Sequence, residues 1–195
     1  MKEGGLTQKE KTMLLKYARE AIELVVNGGD LHPLDLSEYS PALREPGAVF
    51  VTLTRGGSLR GCIGALEPYQ PLIEDVREHA AAAAVEDYRF PPVRPAEVSQ
   101  LCIEISRLTT PQPLEYTLPE DLPGLLHPGV DGVVLRDGYR RSTFLPQVWE
   151  KLPAPPDFLD NLCLKMGAPR NLWRLKKLAV LIYHVEEFSE EESGS

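Results

Sequence analysis

An α+β fold, built on a mostly antiparallel sheet with flanking helices, is what this 195-residue sequence predicts, and three observations lead there. Helical and strand-like segments are interspersed without regular strand-helix-strand alternation. Two pairs of strand-like segments are joined by short glycine-containing turns, as antiparallel hairpins are. Eighteen prolines, against a usual share of ~5%, fix many connections and speak against a plain helical bundle.

The elements follow in order. Thr7-Gln-Lys-Glu10 is a capping-box pattern, and Leu14, Ala18, Ala21, Ile22 and Val25 continue at helical spacing until Gly28-Gly29 stops the run. After a proline-containing loop, Ala48 to Leu53 is apolar on both faces, as a central strand is. Arg55-Gly-Gly-Ser58 then turns the chain into a second strand, Leu59 to Leu66. A helix is expected from Pro71 to about Glu86; its five consecutive alanines leave little side chain and imply close packing on a sheet. Leu101, Ile103 and Ile105 alternate with polar or small residues in a half-buried strand. Thr109 to Pro128 reads as a long connection with one short helix near Pro119 to Leu122. Asp131 to Arg136 and Tyr139 to Leu145 flank Asp137-Gly138, the dipeptide that favours a type I′ turn. Short helices are expected from Pro146 and over Phe158 to Met166, then a last strand, Leu178 to Val185, and a frayed acidic end from Glu186.

Composition narrows the classes of function. With 43% hydrophobic and 26% charged residues the chain has the proportions of an ordinary globular protein. A net charge of −8 repels phosphate backbones and disfavours nucleic acid as a partner. No run approaches the ~18 apolar residues of a membrane span, and Met-Lys-Glu-Gly-Gly lacks the apolar core of a signal peptide, so a cytoplasmic protein is expected. Cys62, Cys102 and Cys163 are odd in number and widely separated, which predicts reduced thiols and no Cys-x-x-Cys metal pair. The four histidines stand far apart, so no spacing predicts a metal. Phosphate-cradling, dinucleotide-binding and zinc-protease motifs are missing, and the sequence names no cofactor.

Three segments carry candidate chemistry. In Leu59-Arg-Gly-Cys-Ile-Gly64, strand alternation predicts Arg60, Cys62 and Gly64 on one face. A guanidinium beside a thiol favours the thiolate, the nucleophilic form, and Gly61 and Gly64 admit close approach of a backbone or a ligand. Against that stands the reading of Cys62 as a small buried apolar residue. Asp87-Tyr-Arg-Phe-Pro-Pro92 is a rigid loop suited to ligand capture, with an Asp87-Arg89 surface salt bridge as the plainer reading. The third segment, Tyr139 to Glu150, brings Arg140, Arg141, Thr143, Gln147 and Glu150 beside Phe144 and Trp149, the mixture of a pocket lining or of a solvated hairpin face.

Together with Glu104-Ile-Ser-Arg-Leu-Thr109 and Asp131-Gly-Val-Val, these motifs stand in the order found in the AMMECR-one domain family, whose prokaryotic members are called AmmeMemoRadiSam system protein A; the likeness runs from about Thr7 to Phe188. The resemblance implies one domain over 7–188 with a larger and a smaller subdomain, the hexapeptide near the groove between them, and a flexible acidic tail over 189–195. It implies no established reaction. It also implies association with a Memo-like protein and a radical S-adenosylmethionine protein in a shared modification pathway.

Two functions compete, with nucleic-acid binding a weaker third that would need Arg55, Arg60, Arg89, Arg94, Arg140 and Arg141 to converge in one basic patch. One is an enzyme or enzyme subunit in which Cys62 attacks and Arg60 binds an anion, the small molecule being unidentified, with His79 or Glu104 as general base. The other is a non-catalytic binding or scaffold protein in which Cys62 is structural. In either, Gly61, Gly64, Asp87, Arg89, Glu104, Arg140, Thr143, Gln147 and Glu150 are the expected binding residues, and Arg60 and the Asp87 loop are expected to join the Arg140 to Glu150 segment in one polar groove.

Overall fold

Residues 5–190 are described by the computed structural model, which is an α+β fold with two antiparallel-rich sheets. The chain divides into two compact units, Met1–Leu108 with Glu186–Ser195, and Thr109–Val185.

In the first unit the Thr7 side chain accepts from the Glu10 N–H while the Glu10 carboxylate accepts from the Thr7 N–H, which starts α1 (Gln8–Val26) as the sequence predicts. A short α2 (Pro41–Arg44) leads to the hairpin of β1 (Pro46–Arg55) and β2 (Ser58–Gly64). Two-residue β3 (Gln70–Pro71) precedes α3 (Leu72–Val85), for which Pro71 is the N-cap, and β4 (Leu101–Leu108) completes the centre. β2, β1 and β4 lie in that order, and β3 joins β1 on the side that β2 occupies. Val51, Leu53, Ile103 and Ile105 face one way and pack with Leu14, Ala18 and Ile22 of α1 and Val76, Ala80 and Ala83 of α3. The alanine run does what its small side chains allow. A Cβ on Gly61 would collide with the Ala83 carbonyl oxygen, so α3 and β2 touch backbone to backbone.

Carboxylates complete the main-chain bonding at sheet margins. Between β3 and β2 the Val49 N–H has no strand to bond, and it donates to the fully buried Asp75 Oδ2 at 2.9 Å.

The second unit has β5 (Gln112–Pro113), α4 (Leu122–Leu125), β6 (Gly132–Asp137), β7 (Arg140–Phe144), α5 (Pro155–Lys165), α6 (Leu172–Leu175) and β8 (Ala179–Tyr183), with sheet order β5-β8-β6-β7. The predicted type I′ turn is corrected. Asp137 pairs with Arg140, so Gly138 and Tyr139 are the two turn residues, and only Gly138 has a positive φ, 60°. A type I′ turn needs both central residues there, whereas a glycine first and an ordinary residue second is the type II′ pattern. α5 begins at Pro155, three residues before the expected Phe158, because proline suits a first helical turn.

The frayed end is also corrected. β9 (Val185–Ser189) follows β8 after one residue and lies beside β4 in the first sheet. Glu186 accepts from the Leu6 N–H and pairs with Lys11 and Arg107, and Glu190 pairs with Arg19 and accepts from the Ile103 N–H. The carboxylates Glu186 and Glu190 of the end read as frayed are here anchors. The remainder of the predicted tail, 191–195, lies outside the described residues.

Candidate functional site around Cys62

Cys62 pairs with Thr52 of β1, and Thr52 pairs in turn with Glu104 of β4. Thr52 Oγ1 donates to Cys62 Sγ at 3.3 Å, which fixes the thiol on the sheet face opposite the helices. Cys62, Thr52 and Glu104 thus form one row across three strands, all half-buried. Burial, with the Glu187 carboxylate adding to it, pushes the Glu104 carboxyl above its ordinary range.

β2 is the edge strand, and at Cys62 its outward main-chain groups are taken by the Asp87 loop. The Cys62 N–H donates to Asp87 Oδ2 at 2.9 Å, and Arg89 Nη2 donates to the Cys62 carbonyl at 3.2 Å. Arg89 also forks onto Asp87, Nε to Oδ1 at 2.9 Å and Nη2 to Oδ2 at 2.7 Å. This is more than the expected surface pair, since Asp87 is 4% exposed. The Arg89 guanidinium holds the Asp87 carboxyl far below the carboxylate range against the opposing effect of burial. Asp87 in turn favours the charged form of Arg89.

Arg60 takes a different place from the one predicted. A bulge shifts the register so that Leu53 opposes Gly61 and Thr54 opposes Leu59; Arg60 is the extra residue, with no partner on β1. The alternation that aligned Arg60 with Cys62 is broken there. Its guanidinium meets Glu97 through Nε and Nη2, both at 3.3 Å, and Arg55 shares that carboxylate. The Arg60 fork draws the Glu97 carboxyl down to about 2. The cation beside Cys62 is therefore Arg89, which the sequence offered only as a separate loop feature.

The glycines prove to admit the chain's own backbone, Gly61 against Ala83 and Gly64 against Val49 and Phe50. His79, the histidine nearest in sequence, is 7% exposed on α3, with Nδ1 3.3 Å from Asp75 Oδ2. It packs on the helix side of the sheet, away from the thiol. Burial pulls its pKa down, and the Asp75 carboxylate outweighs that and raises it. Of the two candidate bases, Glu104 alone shares the Cys62 face. Cys102 approaches the Glu190 carbonyl at 3.6 Å, and Cys163 is fully buried, which pushes its thiol up.

Arg140, Thr143, Gln147 and Glu150 belong to the second unit, whereas the other candidates belong to the first. The Arg140 guanidinium stands 5.9 Å from the centre of the Tyr139 ring. Thr143 is buried, its hydroxyl 3.2 Å from Tyr183 Oη. Gln147 and Glu150 are exposed on the 3-10 turn Pro146–Glu150.

Thr52 was missed as a candidate, since a threonine in a strand carries no motif; only the register reveals it. So was a cluster in the second unit, where His127 Nδ1 and His184 Nε2 each lie 3.1 Å from the buried Asp131 carboxylate. Those histidines are far apart in sequence and meet only in the fold. Among the described residues no group of three or more His, Cys, Asp or Glu is placed to hold a metal ion, and no helix is long and apolar enough to cross a membrane.

Comparison with known proteins bears on the fold and the family. A protein of Methanothermobacter thermautotrophicus is 40% identical over 98% of this chain and 100% of its own length. A protein of Thermofilum pendens is 37% identical over 96% of this chain and 92% of its own. The crystal structure of the uncharacterised protein PH0010 from Pyrococcus horikoshii superposes with a TM-score of 0.79 at 34% identity, covering 96% of this chain and 94% of that one. The AMMECR1 family matches residues 15–188, and with these relatives it establishes that the chain belongs to the AMMECR1 family.

Proposed function

We propose that this AMMECR1-family chain is an enzyme, or the catalytic subunit of one, whose nucleophile is Cys62, acting on a small anionic or carbonyl-bearing molecule or on a macromolecule in a modification pathway shared with Memo-like and radical S-adenosylmethionine proteins. The observation that carries this reading is the environment of the sulfur. Cys62 is held by its backbone at Asp87 and Arg89, receives a hydroxyl hydrogen bond from Thr52, and has a cation within electrostatic reach. A hydroxyl partner and a neighbouring guanidinium are what a nucleophilic sulfur is built beside. Cys163, by contrast, is buried where the thiol is favoured.

A scaffold role draws on one specific observation, that Asp87 and Arg89 satisfy the outward N–H and C=O of an edge strand, which structural stability alone would reward. Alkylation of the folded chain across pH, with mass spectrometry of each cysteine, separates the two. A reactive thiol at Cys62, labelled ahead of Cys102 and Cys163, supports the enzyme. Labelling of Cys62 only after unfolding supports the scaffold.

A further inference from the structure

The general base follows from the row of three side chains, and it rests on the reading of Cys62 as a reactive thiol. Directly opposed residues on one sheet face have Cβ atoms about 4.5–5.5 Å apart. Cys62 and Glu104 are two such steps from each other, too far for a direct hydrogen bond, and Thr52 stands between them, opposite both. Its hydroxyl already bonds the sulfur at 3.3 Å.

We propose that Glu104 is the general base for Cys62 and that the Thr52 hydroxyl relays the proton between them. The S–H bond breaks as its proton passes to Thr52 Oγ1, and the proton Thr52 held passes to a Glu104 carboxylate oxygen. Cys62 ends as a thiolate, Glu104 as a neutral acid and Thr52 as the same alcohol, so nothing is oxidised and no co-reactant is needed. The 3.3 Å contact between Thr52 Oγ1 and Cys62 Sγ is the first leg of that path, and the β1–β4 register that sets Glu104 opposite Thr52 supplies the second.

The surroundings fit each role. The thiol faces Thr52, and Arg89 and Asp87 hold its main chain; Arg60 is engaged with Glu97, and His79 lies beyond the sheet. Glu104 faces Thr52 on β1 and Glu187 on β9, with Cys102 and Ser106 beside it on β4. Burial and the Glu187 charge make Glu104 a stronger base than an exposed glutamate.

The test measures iodoacetamide alkylation of Cys62 against pH, in the full chain, for wild type, Glu104→Gln, Thr52→Val and Thr52→Ser. Between pH 6 and 7 the Gln and Val variants are expected to react up to about 10²-fold more slowly, the lower end of general-base assistance, with Ser restoring most of the rate. The lower inflection of the wild-type profile should vanish in Glu104→Gln. Infrared spectra comparing wild type with Glu104→Gln supply a second readout, a neutral carboxylic acid carbonyl band assigned to Glu104. Wild-type rates and profiles in Glu104→Gln and Thr52→Val, with Cys62 still the reactive thiol, overturn the relay alone. An inert Cys62 in the folded wild type overturns the underlying reading and the relay with it.

Discussion

The two units reach stability by different means. In the first, β1 and β4 are 10 and 8 residues long and bury rows of valine, leucine and isoleucine under α1 and α3. In the second, β6, β7 and β8 have 6, 5 and 5 residues, so fewer rows are available. Aromatic rings, each burying 150–250 Å², make up the area. Trp149 stacks on Phe158 at 3.6 Å and 6°, and Phe144 meets Phe158 edge-on at 5.2 Å. Charge divides as well. The first unit carries 12 basic and 21 acidic side chains, a charge of −9, and the second nine and eight, a charge of +1, so the acidity of the chain lies in the first unit. Many of those extra acids are not idle surface charge, because Asp75, Asp87, Glu186 and Glu190 each accept a main-chain N–H. Short strands thus call for large side chains, and exposed sheet margins call for carboxylates.

The largest expected effect lies in the aromatic core. Phe158→Ala should cost about 3–5 kcal/mol. Both tryptophans, Trp149 and Trp173, lie in the second unit, so denaturation followed by tryptophan fluorescence reads this loss directly. An unchanged midpoint would mean that the stack is not what holds that unit.

Gly61→Ala comes next, at about 1–3 kcal/mol for overpacking, toward the upper end because the obstacle is the Ala83 backbone and not a flexible side chain. Circular dichroism should follow it. A wild-type melt would show that α3 and β2 can separate at little cost.

Asp87→Asn keeps an acceptor for the Cys62 N–H and removes the charge facing Arg89, for a loss of about 1–3 kcal/mol. Acid titration checks the same feature by sign. Asp87 and Glu97 have folded pKa values below their unfolded ones, so their stabilisation is complete above about pH 4.5 and is lost as pH falls. The Glu97 share should disappear between about 4.5 and about 2, and the Asp87 share should begin to fall below 3.8 and go on falling to lower pH than the Glu97 share. Asp87→Asn should flatten the most acidic part of the curve; an unaltered curve refutes the clamp.

The smallest effect has the opposite sign. Glu104 is raised above its unfolded value, so its ionisation favours unfolding and its stability contribution falls as pH rises through the carboxylate range. Glu104→Gln should therefore be slightly more stable than wild type at neutral pH, within ~0.5 kcal/mol, by thermal denaturation. A clear loss of stability would identify Glu104 as a structural group.

Local chemistry made α1, the β1–β2 hairpin and the alternating strand β4 legible, because a capping box, a glycine turn and a period of two act over a few residues. The α+β class and the Leu59 to Gly64 segment were legible for the same reason. What sequence could not reach were the contacts that depend on register and on distant segments. One bulge residue moved Arg60 from Cys62 to Glu97, because inserting a residue breaks the alternation that a strand otherwise enforces. The acidic end became β9 because an unpaired margin of β4 was available for it. The sequence by itself determined the long helices, the two hairpins and the central strands, and that Cys62 sits in an unusual one. Only the tertiary structure decided its neighbours, Thr52, Glu104, Asp87 and Arg89, since strand pairing and edge capping join residues separated by 10 to 52 positions through bonds no local pattern encodes.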